Sequence, residues 1–244
     1  MTDFHPACCA PLREHWPLPL PMPGATLVST LFQADRLQPG DFVACAIPAV
    51  PGASKRQCEY LAGRLCARHA LHRLTGQADV PAVGEDRAPH WPAGVVGSIT
   101  HSQGQAAALV ASTGQWRGVG IDLERLLSAE RSQRLCGEIL TPGERERLAD
   151  VDTALHPWLI SLTFSAKESL FKALFPLVNQ RFYFQDAELL EWHEDGRLRM
   201  GLLRDLGGEW QGGAQLEGQF GTLGEQLLTL VAIARQVVEM AAKP

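Results

Sequence analysis

A long helix followed by several short strands is predicted twice along this chain of 244 residues. In the first group, leucines at helical spacing predict a helix over residues 54–75 that ends at Gly76, and alternating strands follow as far as residue 124. The second group covers roughly residues 141–235. We therefore predict an α+β fold of two similar halves, residues 1–118 and 119–244, each a helix packed on an antiparallel meander and related by a pseudo-twofold, with the active site between them.

Composition limits the classes of protein that the chain can belong to. With 45% hydrophobic residues the chain can bury a real core, and a net charge of −5 argues against a nucleic-acid binder held by its overall field. Prolines interrupt every apolar run of the acidic N-terminus, and no later apolar run is long enough to span a bilayer. The six cysteines show no CxxC pair and no zinc spacing, which predicts reduced thiols. We expect a cytoplasmic monomer that binds neither nucleic acid nor membrane.

Local patterns predict several further elements. Residues 25–33 and 41–48 are typical of strands, and Gln103 with Gly104 predicts a tight turn between two strands of a meander. Thr141 and Glu144, three residues apart, match a capping box at the start of a helix. Ser54 is a plausible N-cap of the first long helix.

Two acids alternate with apolar residues in the segment GVGIDLE. On a strand, Asp122 and Glu124 point to the same face with their Cα atoms about 6.5 Å apart, close enough to share one cation. Hard oxygen ligands at this spacing suit Mg²⁺. A strand with a solvated polar face explains the same pattern, so these residues alone leave both interpretations open.

The segment FSAKESLFKALFP predicts an amphipathic helix over residues 164–175 that ends before Pro176. Lys167 falls at the edge of its apolar sector, where a leucine would be expected. Glu168 and Lys172 lie one turn apart and could form only a surface ion pair. Glu168 could also complete a capping box with Ser165 as N-cap. The alternative is that Lys167, Glu168 and Lys172 take part in binding or catalysis.

Other candidate cations and a histidine lie upstream. His101 shares a strand face with Ile99, a pattern found more often for packed histidines than for ligands. Arg87 lies in a loop, where packing gives a cation no role. The basic side of the first long helix, which includes Arg64, could be a solvated face. Together with the acids, these residues supply metal ligands, a base and phosphate-binding cations, an inventory that suits a pyrophosphate-containing substrate.

The segments SITHS, VGIDLE and FSAKESLFK, in this order and spacing, resemble the three signature blocks of the Sfp-type 4′-phosphopantetheinyl transferases. The runs EDRAPHWPAGVVGSITHS and KRQCEYLAGRLCAR resemble its enterobactin-type branch. The resemblance implies two similar halves with coenzyme A bound between them. It also implies Mg²⁺-dependent transfer of 4′-phosphopantetheine to a serine of an apo acyl or peptidyl carrier protein, with release of adenosine 3′,5′-bisphosphate. Mn²⁺ is an alternative metal.

The same resemblance assigns roles residue by residue. Asp122, Glu124 and Glu168 match the acids that bind Mg²⁺, and Glu168 or a metal-bound water would be the base. Lys167 and Lys172 match the lysines of the third block. Lys167 would face the cleft between the halves and bind coenzyme A, and Lys172 would reach a phosphate of coenzyme A and take part in catalysis with Glu168. The adenosine-phosphate side would be formed by residues from four segments: Arg56, Arg64, Arg87, Ser98, Thr100 and His101. The third block begins with Phe164 where many members have tryptophan, and both anchor a helix by burial.

Two other functions use the same residues. A metal-dependent hydrolase of nucleotide pyrophosphates needs the same acids and cations, with water as the nucleophile. A non-catalytic module that binds coenzyme A or docks a carrier protein needs only the binding groups. The first would release phosphopantetheine without any carrier, and the second would bind coenzyme A without turnover.

Overall fold

The computed structural model describes residues 4–84 and 88–235 and has an α+β fold. Its helices are α1 (Asp41–Ala44), α2 (Ser54–Thr75), α3 (Ala129–Ile139), α4 (Pro142–Ala149) and α5 (His156–Val178). Its strands are β1 (Arg13–Glu14), β2 (Ala25–Leu31), β3 (Ala82–Val83), β4 (Pro89–His90), β5 (Val95–Ser102), β6 (Gln105–Ser112), β7 (Trp116–Glu124), β8 (Ala187–Trp192), β9 (Arg197–Leu202), β10 (Gln215–Leu223) and β11 (Gln226–Ala234).

Two antiparallel sheets organise the molecule. The first has the strand order β1-β2-β6-β5 and the second β7-β11-β10-β9-β8, while β3 and β4 form a separate pair. Helix α2 packs on β6 and β2, and α5 packs on β7 and β11. The prediction of an α+β fold is confirmed, whereas the pseudo-twofold relation stays a prediction. The proposed division between residues 118 and 119 falls inside β7 and also stays a prediction.

The two sheets meet where edge strand β5 packs against edge strand β7. No backbone ladder joins these edges, and side-chain hydroxyls take its place. Ile121 N donates to Ser98 Oγ at 3.1 Å, and Leu123 N donates to Thr100 Oγ1 at 3.0 Å. Buried N–H groups need such partners, so these two hydroxyls stabilise the junction between the sheets.

Glycines on β7 allow α5 to lie directly against the strand. A Cβ at Gly120 would collide with Ser169 O and Ala173 N, and one at Gly118 would collide with Ala173 O. Because these positions lack side chains, the helix approaches closely. This approach brings the polar face of α5 next to the acids of β7.

Several local predictions are confirmed. Helix α2 ends at Gly76, which adopts a left-handed conformation with φ of 77°. Gln103 and Gly104 have φ of 39° and 82° and form the turn between β5 and β6. The capping box of Thr141 and Glu144 begins α4.

Three local predictions are wrong. Residues 41–48 do not form a strand, because Asp41 accepts a hydrogen bond from Gln38 N and begins the short helix α1. The N-cap of α2 is Ala53, without a side-chain hydrogen bond, and not Ser54. Residues 181–192, whose sequence RFYFQDAELLEW predicts one strand, form a strand only over β8, from Ala187 onwards.

The helix that carries Glu168 is longer than predicted at both ends. It begins at His156, with Pro157 in its first turn, where the missing proline N–H has no cost. Ser165 therefore lies inside the helix, and the predicted capping box of Ser165 and Glu168 is wrong. The helix also continues past Pro176 and ends at Asn179, whose φ is 48°. A proline this close to the end removes only one helical hydrogen bond.

Among the residues described here, no helix is both long enough and apolar enough to cross a bilayer.

Candidate active site

Asp122 lies at the centre of the predicted site, on β7 and only 5% exposed. Its Oδ1 accepts a hydrogen bond from Lys172 Nζ at 2.7 Å and a long one from Thr100 Oγ1 at 3.4 Å. Its Oδ2 accepts from Ser165 Oγ at 2.9 Å. Both oxygens of this buried carboxylate therefore have partners, from α5 and from β5.

Lys172 forms its ion pair with Asp122 and not with Glu168, its neighbour on the helix. Its Nζ also donates to Ile121 O at 3.0 Å. The side chain is 27% exposed, so the ammonium lies at the border between the core and the cavity beside it. The interpretation of Lys172 and Glu168 as a surface ion pair does not describe the structure.

Glu124 and Glu168 are half-buried beside Asp122. Burial, with the negative charges of Asp122 and Glu168, raises the pKa of Glu124 to about 7, although Lys172 acts in the opposite direction. Burial also raises the pKa of Glu168, which Lys172 lowers in part and Asp122 raises further. The three acids are thus close enough to repel one another, and Lys172 is the cation that contributes to both shifts.

Metal binding by this acid set has chemical support but no assembled geometry. Across residues 4–84 and 88–235, no group of three or more His, Cys, Asp or Glu side chains is arranged to hold a metal ion. Asp122 is paired with Lys172 instead. The donors nevertheless fit a hard divalent cation, because three neighbouring carboxylates carry more negative charge than one ammonium balances.

Two adjoining cavities follow the junction of the sheets. The first, of about 550 Å³, lies between β5 and α5, and its lining includes Ser98, Glu168 and Lys172. The second, of about 520 Å³, lies between β5 and α2, and its lining includes Arg56, Arg64 and His101. Ile99 and Pro89 line both cavities. The structure therefore brings predicted residues of β5, α2 and α5 to the walls of two neighbouring cavities.

The basic groups of the second cavity differ in their surroundings. Arg64 is only 5% exposed, its guanidinium lies 4.8 Å from the centre of the Tyr60 ring, and its Nε is buried without a hydrogen-bond partner. His101 Nδ1 lies 3.8 Å from Glu59 Oε2, and burial lowers the pKa of His101 more than Glu59 raises it. A buried arginine with an unsatisfied donor at a cavity wall is suited to an anionic ligand. Arg87 lies outside the described residues.

Ser98 and Thr100 are both 4% exposed, and their hydroxyls accept the β7 hydrogen bonds that join the sheets. Thr100 in addition donates to Asp122. Their predicted place on the adenosine-phosphate side is a prediction that these contacts leave untested. The contacts give both residues a structural role that the sequence did not indicate.

The ammonium of Lys167 is bound by three acceptors outside the predicted acid set. Its side chain is buried, and Nζ donates to Glu144 Oε2 at 2.6 Å, Ile139 O at 2.8 Å and Phe184 O at 2.8 Å. An ammonium has three donors, so this set occupies all of them. The side chain lies at the apolar edge of α5 because a buried carboxylate on α4 is its partner. Lys167 also lines a cavity of about 230 Å³ together with Glu168, and its predicted place at the coenzyme A cleft stays a prediction.

Sequence reasoning missed a group of buried hydroxyls behind Asp122. Ser165 and Ser169 on α5 both lie within hydrogen-bond distance of Thr229 Oγ1 on β11, at 2.8 and 2.7 Å. The sequence pattern indicated part of this hydroxyl group, because Ser165 and Ser169 lie four residues apart in the same polar sector of the helix as Glu168 and Lys172. Thr229 has no comparable signal, since it lies in an apolar strand.

Two models of known protein families match the chain. The family model described as the 4′-phosphopantetheinyl transferase N-terminal domain matches residues 45–111, and that of the 4′-phosphopantetheinyl transferase superfamily matches residues 118–230. The chain belongs to the 4′-phosphopantetheinyl transferase superfamily.

Individual relatives support the same assignment. Over 192 aligned residues the chain is 39% identical to the 4′-phosphopantetheinyl transferase Svp of Streptomyces mobaraensis. The aligned segment covers 76% of this chain and 74% of the relative. Over 140 residues it is 42% identical to the enterobactin synthase component D of Escherichia coli K12, covering 57% and 64%. It is 40% identical over 142 residues to the transferase Npt of Nocardia iowensis, covering 58% and 62%. The chain thus spans somewhat less than two thirds of the length of the last two relatives.

Proposed function

We propose that this protein transfers 4′-phosphopantetheine from coenzyme A to a serine of an apo acyl or peptidyl carrier protein and releases adenosine 3′,5′-bisphosphate. The observation that carries the proposal is the shared cavity of Glu168 and Lys172, one helical turn apart, with Asp122 paired to Lys172 behind them. On this proposal Glu168 is the base and Lys172 the phosphate-binding cation of one cavity, and Asp122 and Glu124 are the neighbouring acids that complete the metal-binding set.

The two cavities divide the proposed binding of coenzyme A. Arg56 and Arg64 would neutralise the adenosine phosphates in the second cavity and His101 would donate a hydrogen bond there, with Arg87 and the β5 hydroxyls assigned to the same side by the family resemblance. Lys172 would contact the pyrophosphate in the first cavity, next to apolar side chains such as Trp91 and Phe171. These rings suit the uncharged pantetheine arm. Lys167 is left out, since its three donors already have acceptors.

Mg²⁺, or Mn²⁺ in its place, would be held by Asp122, Glu124 and Glu168. When bound, it supplies the positive charge that neutralises the pyrophosphate during transfer. The chain's own part is to keep three hard oxygen donors together at the junction of β7 and α5, where Gly120 allows the close approach.

Glu168 is proposed as the general base. The carrier serine oxygen bonds to the β-phosphorus of coenzyme A, the bond from that phosphorus to the bridging oxygen breaks, and the serine proton passes to Glu168. A carboxylate whose pKa is raised by burial is a better proton acceptor near neutral pH than an exposed one. If Glu168 instead helps to hold the metal, it would not be free to take this proton.

Intact-mass spectrometry tests the proposal. The protein is incubated with coenzyme A, Mg²⁺ and each of several apo acyl and peptidyl carrier proteins, with a chelator added to matched samples. The proposal predicts a carrier that gains one phosphopantetheine only with Mg²⁺ present. A hydrolase would release phosphopantetheine without a carrier, and a binding module would bind coenzyme A without any product. Either result would overturn the proposed transfer.

The proposal also includes a cytoplasmic protein that works as a monomer, with no nucleic-acid or membrane partner. The net charge of −5 supports this choice of partners. Light scattering at working concentrations tests the monomer.

A further inference from the structure

Behind Asp122, three buried hydroxyls form a continuous chain that crosses from α5 to β11 and back. Ser169 Oγ lies 2.7 Å from Thr229 Oγ1, which lies 2.8 Å from Ser165 Oγ, which lies 2.9 Å from Asp122 Oδ2. Ser165, Ser169 and Thr229 are fully buried. No water can therefore replace a missing member without opening the packing between helix and sheet.

Counting protons fixes the direction of the chain. The Asp122 carboxylate accepts only, so the single hydroxyl proton of Ser165 points to Oδ2. Ser165 must then accept from Thr229, and Thr229 must accept from Ser169. The 3.2 Å contact of Ser169 Oγ with Thr229 O can only share that last proton. Every hydroxyl thus donates towards Asp122, and successive bonds of this kind polarise one another.

The other carboxylate oxygen has a different environment. Asp122 Oδ1 accepts from Lys172, which lines the cleft, and more weakly from Thr100. Oδ2 is therefore bound by the buried hydroxyls of the interior, and Oδ1 lies on the side of Lys172 and the first cavity. Hydroxyls that hold one oxygen of a ligating carboxylate set which oxygen is presented to a metal.

We propose that Ser165, Thr229 and Ser169 are positioning residues that hold Oδ2 of Asp122 from the interior and so fix the orientation in which this carboxylate would help to hold a divalent cation. This inference rests on the proposed function, because it deepens the role given there to Asp122. It assigns a role to Thr229, which none of the three signature blocks contains.

A pair of substitutions at Thr229 separates positioning from packing. Thr229→Val keeps the shape and removes the hydroxyl, so the chain to Asp122 is broken. Thr229→Ser keeps the hydroxyl and removes a methyl group from the core. If Thr229 positions Asp122, Thr229→Val should weaken metal binding and Thr229→Ser should not. If Thr229 only fills space in the core, Thr229→Ser should have the larger effect. Ser165→Ala removes the direct donor and serves as a second test.

Thr163→Val is the matched control. Thr163 is a buried threonine on the same helix, and its hydroxyl donates to Leu159 O at 2.8 Å with no link to Asp122. It also undergoes the same isosteric loss of a hydroxyl.

The measurement is Mn²⁺ binding, followed by the electron paramagnetic resonance of the free ion in the presence of coenzyme A, together with melting temperatures. Partners of metal ligands typically change metal affinity about 10–100-fold, so Thr229→Val and Ser165→Ala should weaken Mn²⁺ binding at least about tenfold. Thr229→Ser and Thr163→Val should retain the parental affinity.

Parental Mn²⁺ affinity in Thr229→Val would overturn the inference, and so would equal losses in Thr229→Val and Thr229→Ser. Either result leaves carrier modification by the parent protein intact, and the proposed function with it. A parent that binds no Mn²⁺ and modifies no carrier would instead overturn the proposed function and this inference together.

Discussion

Lys172 Nζ lies 2.7 Å from Asp122 Oδ1, a contact between α5 and β7 made by residues 50 positions apart. The pair joins a phosphate-binding candidate to a metal-binding candidate before any ligand arrives. Lys172 also lines the first cavity, so the same positive charge that pairs with Asp122 lies at the wall of that cavity. On the proposed function, the pair would couple the binding of a metal cation to the binding of an anionic substrate.

Lys172→Met should weaken the binding of coenzyme A. Loss of a charged hydrogen bond to a phosphate costs roughly 1.5–3 kcal/mol, or about a 10- to 150-fold weaker affinity. Calorimetric titration with coenzyme A measures this change in affinity. Arg134→Met is the control, because Arg134 forms only an exposed pair with Glu130 on α3. Unchanged affinity in Lys172→Met would limit Lys172 to its structural pair with Asp122.

Glu168→Gln should slow transfer at least about 100-fold, because the variant lacks both a metal-binding anion and the proposed base. The melting temperature should stay close to that of the parent, since Glu168 lies inside α5 and not at a capping position. Single-turnover carrier modification and thermal unfolding are measured on one preparation. Glu146→Gln, on the exposed side of α4, controls for the loss of a surface charge. Full activity in Glu168→Gln would contradict the proposed catalytic role.

Lys167→Met should lower the free energy of unfolding by about 3–5 kcal/mol, because it leaves the Glu144 carboxylate buried without its cation. The folded variant should still bind coenzyme A with parental affinity, since all three donors of Lys167 Nζ already have acceptors within the protein. Urea unfolding and calorimetry together check both parts. The opposite pattern, stable protein with weak coenzyme A binding, would show that Lys167 is a ligand after all.

Gly120→Ala should destabilise the protein by about 1–3 kcal/mol, because an added Cβ collides with the backbone of α5 at Ser169 and Ala173. Transfer should fall as well, since the helix that carries Glu168 and Lys172 must move. Gly137→Ala is the matched control. No atom lies within 4 Å of a Cβ there, and alanine should stabilise α3 by about 0.5–1 kcal/mol. Urea unfolding of both variants checks the pair, and equal effects would contradict the close-approach argument.

Much of the local structure could be predicted from short windows of sequence. The end of α2 at Gly76, the turn at Gln103 and Gly104, and the capping box of Thr141 and Glu144 depend on residues within a few positions of one another. The alternation of GVGIDLE likewise indicated that Asp122 and Glu124 share a strand. The predicted start and end of α5 were wrong, because the helix is longer than the short segment from which they were predicted. It extends from His156 through Pro176, so Ser165 is a buried helical residue and not an N-cap.

The sequence by itself determined the α+β class, the family resemblance and the identity of the candidate acids, because spacing along the chain encodes helix, strand and turn. Only the tertiary structure decided which charges meet. It pairs Lys172 with Asp122 and not with Glu168, turns Lys167 towards Glu144, and places Thr229 behind Asp122. Such partners lie 23 to 64 residues apart in the chain. Their contact depends on how closely α5 packs on β7 and β11, which the glycines permit but no local pattern specifies.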